Sequence, residues 1–265
     1  MKTVVVTGSA RGLGFEMAKC FRNKNFNVII SDINKQDVDN AKKLLLKEKS
    51  KGEVQGYVCD ITKEQDIINL IKNVKKNYKI DFWINNAGVN QPNKMIWNLT
   101  SEEINKLIDI DLKGTIIATK HIMNEMIKEG SGAIYTVEGH GSNNALIPGL
   151  SIYGTSKRGV TYFIDALAKE AETNKYDIII GKLSPGIMIT DFLVNAFRDK
   201  KIELTDKEKK VYNILGDYPD VVAKYMVNKM INNTNNNVRI SWLTNRKAAW
   251  RFMTSWLRKR DLFKK

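Results

Sequence analysis

Cysteine, proline and acidic residues are all scarce in this chain, and each scarcity excludes something. Two cysteines, Cys20 and Cys59, cannot build a disulfide framework, so a reducing, cytoplasmic setting is expected. Only four prolines occur (Pro92, Pro148, Pro185 and Pro219), and no Pro/Gly/Ser-rich stretch divides the 265 residues, which argues for one domain rather than two. No window approaches the roughly 18 uninterrupted apolar residues of a membrane-spanning helix. The opening run over residues 1–12 has one lysine and a short apolar stretch ending in glycine, so no secretory signal is expected. The 29 Asp+Glu fall far short of the 43 Lys+Arg, leaving a formal charge of +14. That balance points to nucleic acid, an anionic membrane surface or anionic small molecules as partners, and it is silent on fold. No metal site is expected.

What is present is ordinary for a globular protein: 43% hydrophobic and 27% charged residues. Short β-branched runs alternate with helical periodicity. Strands are predicted over residues 4–6, 28–30, 54–59, 80–84, 133–137 and 177–183, with a short seventh over 238–242. Helices are predicted over 13–23, 35–49, 66–76, 101–128 and 155–173, the fourth capped by Thr100 or Ser101 with Glu103 in its first turn. Strict alternation means βαβ units with right-handed crossovers. The expected fold is α/β, a single doubly wound Rossmann domain with a mostly parallel central sheet and helices on both faces.

The first strand runs into Thr7-Gly8-Ser9-Ala10-Arg11-Gly12-Leu13-Gly14, where a helix opens. Gly8 permits the tight turn, Gly12 admits a pyrophosphate close to the backbone, and Gly14 lets the helix pack on the strand. The helix N-terminus supplies free N–H groups and a positive dipole end for phosphates. Asp32, eighteen residues past Gly14 at the end of the second strand, is placed to accept hydrogen bonds from ribose hydroxyls and to repel a 2′-phosphate. NAD(H) is therefore favoured. Arg11 pulls toward NADP(H), because a base beside the ribose can hold that phosphate.

Further motifs follow in order: Asp60 after the third strand, Asn85-Asn86-Ala87-Gly88 after the fourth, Tyr153-x-x-x-Lys157, and Ser184-Pro185-Gly186-x-x-x-Thr190. With the glycine turn they span residues 3–194, and the chain resembles the short-chain dehydrogenases/reductases. The resemblance implies that Asp60 and Ile61 bind the adenine and that Asn86, Ala87 and Gly88 line the cofactor. Tyr153 would be the general acid/base, and Lys157 would hold the nicotinamide ribose and lower the Tyr153 pKa. Pro185, Gly186, Ile187 and Thr190 would hold the nicotinamide. The chemistry agrees with these roles. A phenol titrates near about 10 and is a poor base at neutral pH, whereas a neighbouring ammonium favours phenolate. Positions i and i+4 of a helix share one face.

Two departures from the family pattern stand out. Within Ile110-Asp111-Leu112-Lys113-Gly114, Asp111 takes the place of an expected Asn whose backbone carbonyl leads by a water to the lysine. Thirteen residues before Tyr153, where a substrate-orienting Ser is expected, stands His140. The nearest serine is Ser142, in Glu138-Gly139-His140-Gly141-Ser142. Either Ser142 is re-threaded to that spot by the extra glycines, or His140 donates to the substrate carbonyl. The chlorophyll b reductase branch has a similar stretch here and a similar tail over residues 240–259, although Asp32 departs from its association with NADPH.

Nine Lys/Arg against Asp261 alone over residues 239–265 put +8 of the charge in the last 27 residues. Trp250, Met253, Trp256 and Leu257 recur at helical spacing among them, so residues 245–265 read as a basic amphipathic extension of a domain over 1–244. The extension could lie on an anionic membrane, cover an apolar substrate, contact another copy or dock on its own domain. No nucleic-acid motif accompanies the charge. The resemblance makes residues 190–216 a substrate lid. Its Phe192, Leu193, Val194 and Phe197, with Met95, Trp97 and Leu146-Ile147-Pro148, point to an apolar substrate.

The expected function is an NAD(P)(H)-dependent oxidoreductase interconverting a secondary alcohol and a ketone on a steroid-like, fatty or ring substrate. An NADPH-dependent carbonyl or formyl reductase is the alternative within enzymes, and a non-catalytic NAD(H)-binding module with a membrane-associating tail the alternative outside them. The family commonly forms homodimers or homotetramers.

Overall fold

The computed structural model describes residues 1–190, 205–257 and 260–263 of the chain. Its strands are β1 (Thr3–Thr7), β2 (Asn27–Asp32), β3 (Val54–Val58), β4 (Phe82–Asn85), β5 (Gly132–Val137), β6 (Ile178–Ser184) and β7 (Val238–Ser241). They form one sheet in the order β3-β2-β1-β4-β5-β6-β7, with every pairing parallel. The α-helices among the described residues are α1 (Gly12–Arg22), α2 (Lys35–Leu46), α3 (Glu64–Lys75), α4 (Ser101–Leu107), α5 (Thr115–Glu129), α6 (Ser151–Thr173), α7 (Asp206–Leu215), α8 (Pro219–Ile231) and α9 (Asn245–Met253). The predicted mostly parallel, doubly wound α/β sheet is the one observed.

Alternation along each strand builds a core on either face. Val4, Val6, Val28 and Ile30 pack with Met17 and Phe21 of α1 and with Val222 and Met226 of α8. Val5, Ile29, Trp83, Ile134 and Ile180 pack with Ile67 and Leu70 of α3, Ile122 of α5, and Val160 and Ile164 of α6. Both faces are thereby closed to water, as a parallel sheet requires. Strand order reverses between β1 and β4, which opens a crevice at their carboxyl ends, the usual ligand position in such sheets. Both cysteines are free. Burial pushes the Cys20 thiol up to about 11 and that of Cys59 up to about 12, so neither is a nucleophile at neutral pH.

Two helices differ from expectation in ways that bear on the crevice. The helix predicted over 101–128 is continuous over 101–129 but changes winding, from α4 through a π-helical segment Ile108–Gly114 into α5. Thr100 is the cap: its hydroxyl accepts from Glu103 N–H, and the Glu103 carboxylate accepts from Thr100 N–H. The wide turn brings Gly114 against the β3–α3 loop, where a Cβ would lie 2.7 Å from the Ile61 carbonyl. It also buries Asp111, 1% exposed, on the crevice side. Helix α6 begins at Ser151 rather than at 155, despite Gly154 in its first turn. The cause is a side chain about sixty residues upstream. Gln91 Oε1 accepts from the N–H groups of Ile152 (3.0 Å) and Tyr153 (2.9 Å), satisfying donors that otherwise fray.

Candidate active site

The glycine turn adopts a left-handed backbone at Gly8 (φ +59°) and Gly12 (φ +61°). A Cβ on Gly8 would sit 2.6 Å from Ala87 Cα, whereas one on Gly12 would meet nothing within 4 Å. One glycine thus brings two turns together and the other leaves open space before the N-terminus of α1, whose first turn holds no acidic residue. The two turns are laced: Asn86 Nδ2 donates to the Thr7 and Gly8 carbonyls at 3.0 and 2.7 Å, and Thr7 Oγ1 accepts from Asn86 and Ala87 N–H. Leu13 is buried at the base. Ser9 is also buried and donates to the Val6 carbonyl. Asp32 Oδ2 accepts from Ala10 N–H at 3.2 Å, so the carboxylate lies beside the turn, while Arg11 is exposed.

Asp60 accepts from the Thr62 N–H and hydroxyl and faces Lys63. Burial raises its carboxyl, but those hydrogen bonds and the Lys63 charge outweigh it and hold the group below its ordinary value. Ile61 is buried beside it.

Tyr153, Lys157 and Asp111 converge at the crevice. Lys157 Nζ lies 5.5 Å from the Tyr153 ring centroid and 3.0 Å from Asp111 Oδ2, with the lysine side chain 10% and the aspartate 0% exposed. Asp111 Oδ1 accepts from Val89 N–H at 2.8 Å, which leaves Oδ2 to the ammonium. Gly88 lies against this pair, since a Cβ there would be 3.3 Å from Lys157 Nζ. Burial pulls the Lys157 ammonium down, but Asp111 and then Tyr153 outweigh it and raise it above its ordinary value. Burial raises the Tyr153 phenol; Lys157 opposes this and Asp111 adds to it, so the phenol stands above its ordinary value. The Asp111 carbonyl accepts from Thr115 Oγ1 at 3.0 Å.

The Tyr153 hydroxyl abuts Gly139, where a Cβ would fall 2.3 Å away. Ser142 is buried, its hydroxyl accepting from Gly139 N–H (3.3 Å) and donating to the Lys157 carbonyl (3.4 Å). His140 Nε2 is buried with no hydrogen-bond partner among the described residues. Of the two candidates, Ser142 is engaged with backbone and His140 carries the unsatisfied atom.

After β6, Gly186 turns with φ +73° against Leu243. The Ile187 carbonyl accepts from Asp217 N–H, and Ile189 N–H donates to the Asp217 carbonyl, so residues 185–190 run beside Asp217 in a short parallel bridge. Phe192 and most of the anticipated lid, residues 191–204, lie outside the described residues.

Three residues with clear structural roles were given none by the sequence. Gln91 holds the first turn of α6 and anchors to the Gly149 carbonyl at 2.7 Å. Asn85 ties β4 to Thr119 of α5 and Thr136 of β5. Asp217 binds Trp242, Arg251 and Arg260. Asn85 sits inside a recognisable motif; the other two are met only through partners distant in sequence.

The sheet order, the glycine turn at the switch point and the Tyr–Lys pair on one helix define a nucleotide-binding oxidoreductase architecture. A family model for short chain dehydrogenase matches residues 2–201, and the chain belongs to that family. Among curated proteins, it is 30% identical over 275 residues to the probable chlorophyll(ide) b reductase NYC1 of Arabidopsis thaliana, covering 97% of this chain and 54% of that one. It is 31% identical over 229 residues to chlorophyll(ide) b reductase NOL of the same plant, covering 84% and 64%. To human dehydrogenase/reductase SDR family member 4 it is 31% identical over 220 residues, covering 83% and 77%. The chain spans about half the length of the NYC1 relatives. Levodione reductase shares the fold with a TM-score of 0.81 at 22% identity, covering 94% of this chain and 98% of that one.

Proposed function

We propose that the protein is an NAD(P)(H)-dependent oxidoreductase that interconverts CH–OH and C=O on an apolar substrate, with NAD(H) preferred. The observation that carries this reading is the convergence of half-buried Tyr153 with buried Lys157 and Asp111 against Gly88. The residues present fit a dinucleotide: open space at Gly12, a helix N-terminus with no acidic residue in its first turn, and a carboxylate at Asp32 beside the turn. Such a cofactor supplies hydride donation and acceptance when bound.

Gly8, Ser9, Arg11, Gly12, Leu13 and Gly14 would form the phosphate cradle, with Asp32 at the ribose and Asp60 and Ile61 at the adenine. Asn86, Ala87 and Gly88 would line the floor, and Pro185, Gly186, Ile187 and Thr190 the nicotinamide side. Lys157 would hold the ribose, Tyr153 would exchange the proton with the substrate oxygen, and Asp111 would hold the ammonium. His140 or Ser142 would orient the substrate, and the unsatisfied His140 Nε2 supports His140. Burial raises the Tyr153 phenol and Lys157 opposes that rise, so the lysine is the group that brings the phenol toward proton exchange with the substrate oxygen.

The test is a screen of ring, fatty and steroid-like ketones and alcohols with NADH and NADPH, followed by nicotinamide absorbance. Tyr153→Phe should abolish turnover while NADH still binds. Unchanged turnover in that variant overturns the assignment. A second reading, an NADPH-dependent formyl reductase, rests on the relatives named chlorophyll(ide) b reductase that match 97% and 84% of this chain. NADPH-linked reduction of an aromatic aldehyde without activity on secondary alcohols would favour it.

A further inference from the structure

Helix α9 is turned inside out relative to an ordinary surface helix. Two of its three charged side chains, Lys247 and Arg251, face the protein, and only Arg246 is exposed. Arg251 reaches Asp217 Oδ2 (2.7 Å) and the Leu215 carbonyl (3.0 Å), and the Lys247 ammonium lies over the Trp242 indole. The chain then returns, Arg260 binding Asp217 Oδ1 at 3.0 Å, and buries Leu262 and Phe263 against Ile189, Tyr212 and Tyr218. Docking is complete without the apolar residues in between. Those point to solvent: Phe252 is 48% exposed, Met253 67%, Trp256 75% and Leu257 63%. Single exposed apolar residues are common, but large ones at positions i, i+1, i+4 and i+5 form a patch, and a patch of that kind marks an interaction surface.

We infer that this patch seats on the headgroup region of an anionic membrane leaflet. Charge selects the occupant. Residues 239–265 carry +8, of which Arg246 is exposed in the structure and Arg258, Lys259, Lys264 and Lys265 belong to the same stretch of sequence. A second copy would set +8 against +8, whereas an anionic surface attracts each basic residue near it by about 1 kcal/mol. Tryptophan and phenylalanine beside lysine and arginine match the chemistry of the bilayer interface, where rings enter the acyl boundary and cations stay at the phosphates. Among the described residues no helix is long and apolar enough to cross a membrane, so the contact is peripheral. The inference is independent of the oxidoreductase reading, because lipid binding needs neither cofactor nor substrate.

The experiment is flotation of the full chain with vesicles of phosphatidylcholine alone or with about one third phosphatidylglycerol. The protein should float with the anionic vesicles and not the neutral ones, and raising salt to about 0.5 M should release most of it. The double variant Phe252→Ser, Trp256→Ser should lower the bound fraction about tenfold or more. Its thermal midpoint should match the parent, since both side chains are already exposed. Failure to float, or flotation untouched by the double variant, overturns the inference. So does an iodide-quenchable share of tryptophan emission that Trp256→Ser leaves unchanged without vesicles, which would show a second copy or the chain itself covering the patch. Binding only to an acidic protein, with none to anionic vesicles, overturns it as well.

Discussion

Replacing Asp111 by asparagine is the perturbation that most directly probes how the site sets its working pH. The Lys157 ammonium lies 5.5 Å from the Tyr153 ring centroid. At an effective dielectric of about 20, that attraction is worth about 3 kcal/mol to the phenolate. Asp111 Oδ2, 3.0 Å beyond the ammonium, can be no farther than about 8.5 Å from the ring, and at that distance it opposes the phenolate by about 2 kcal/mol. The carboxylate therefore cancels more than half of what the lysine supplies. In Asp111→Asn the phenol should fall by about one unit or slightly more. Lys157 shifts down as well, having lost its counter-ion. The assay is kcat/KM for alcohol oxidation across pH, using the best alcohol from the screen. Oxidation requires the phenolate, so its rising limb should move acidward by about one unit; carbonyl reduction, which requires the phenol, should lose activity at correspondingly lower pH. A limb that stays in place, or moves to higher pH, would refute the electrostatic account of Asp111.

Other perturbations test the supports around that centre. Gln91→Ala removes both acceptor bonds at the start of α6 and should cost about 2 kcal/mol of stability, read by urea unfolding, while kcat falls and NADH affinity holds. Asp32→Ala should shift preference toward NADP(H) about tenfold or more, read as the ratio of kcat/KM for the two cofactors; no shift would remove the basis for favouring NAD(H). Asp217→Asn leaves Arg251 and Arg260 without their carboxylate and should cost about 3 kcal/mol, read as a lowered thermal midpoint. Burial raises the Asp217 carboxyl, but hydrogen bonds and charge from Arg251, Trp242 and Arg260 outweigh it and hold it below its ordinary value. Its contribution is thus complete above about pH 4 and is lost as pH falls through the depressed folded value, so the variant should lack that acid-side loss.

The local periodicities of this sequence were enough to determine the sheet. Runs such as Val4-Val5-Val6 and Val28-Ile29-Ile30 bury both faces of a strand, and glycine at positions 8 and 12 answers a left-handed backbone, so neither depends on distant partners. The family motifs likewise lie in short stretches. What only the tertiary structure decided are the relations between stretches. A π-helical turn directs Asp111 onto Lys157, Gln91 fixes the first turn of α6 from sixty residues away, and Asp217 gathers Trp242, Arg251 and Arg260 beside residues 185–190. The tail shows the same division. Its helical spacing was legible, but spacing ranks residues around an axis without saying which side meets the protein. That side was chosen by one buried carboxylate attracting two arginines, an energy that exists only once residue 217 and residues 251 and 260 are neighbours in space.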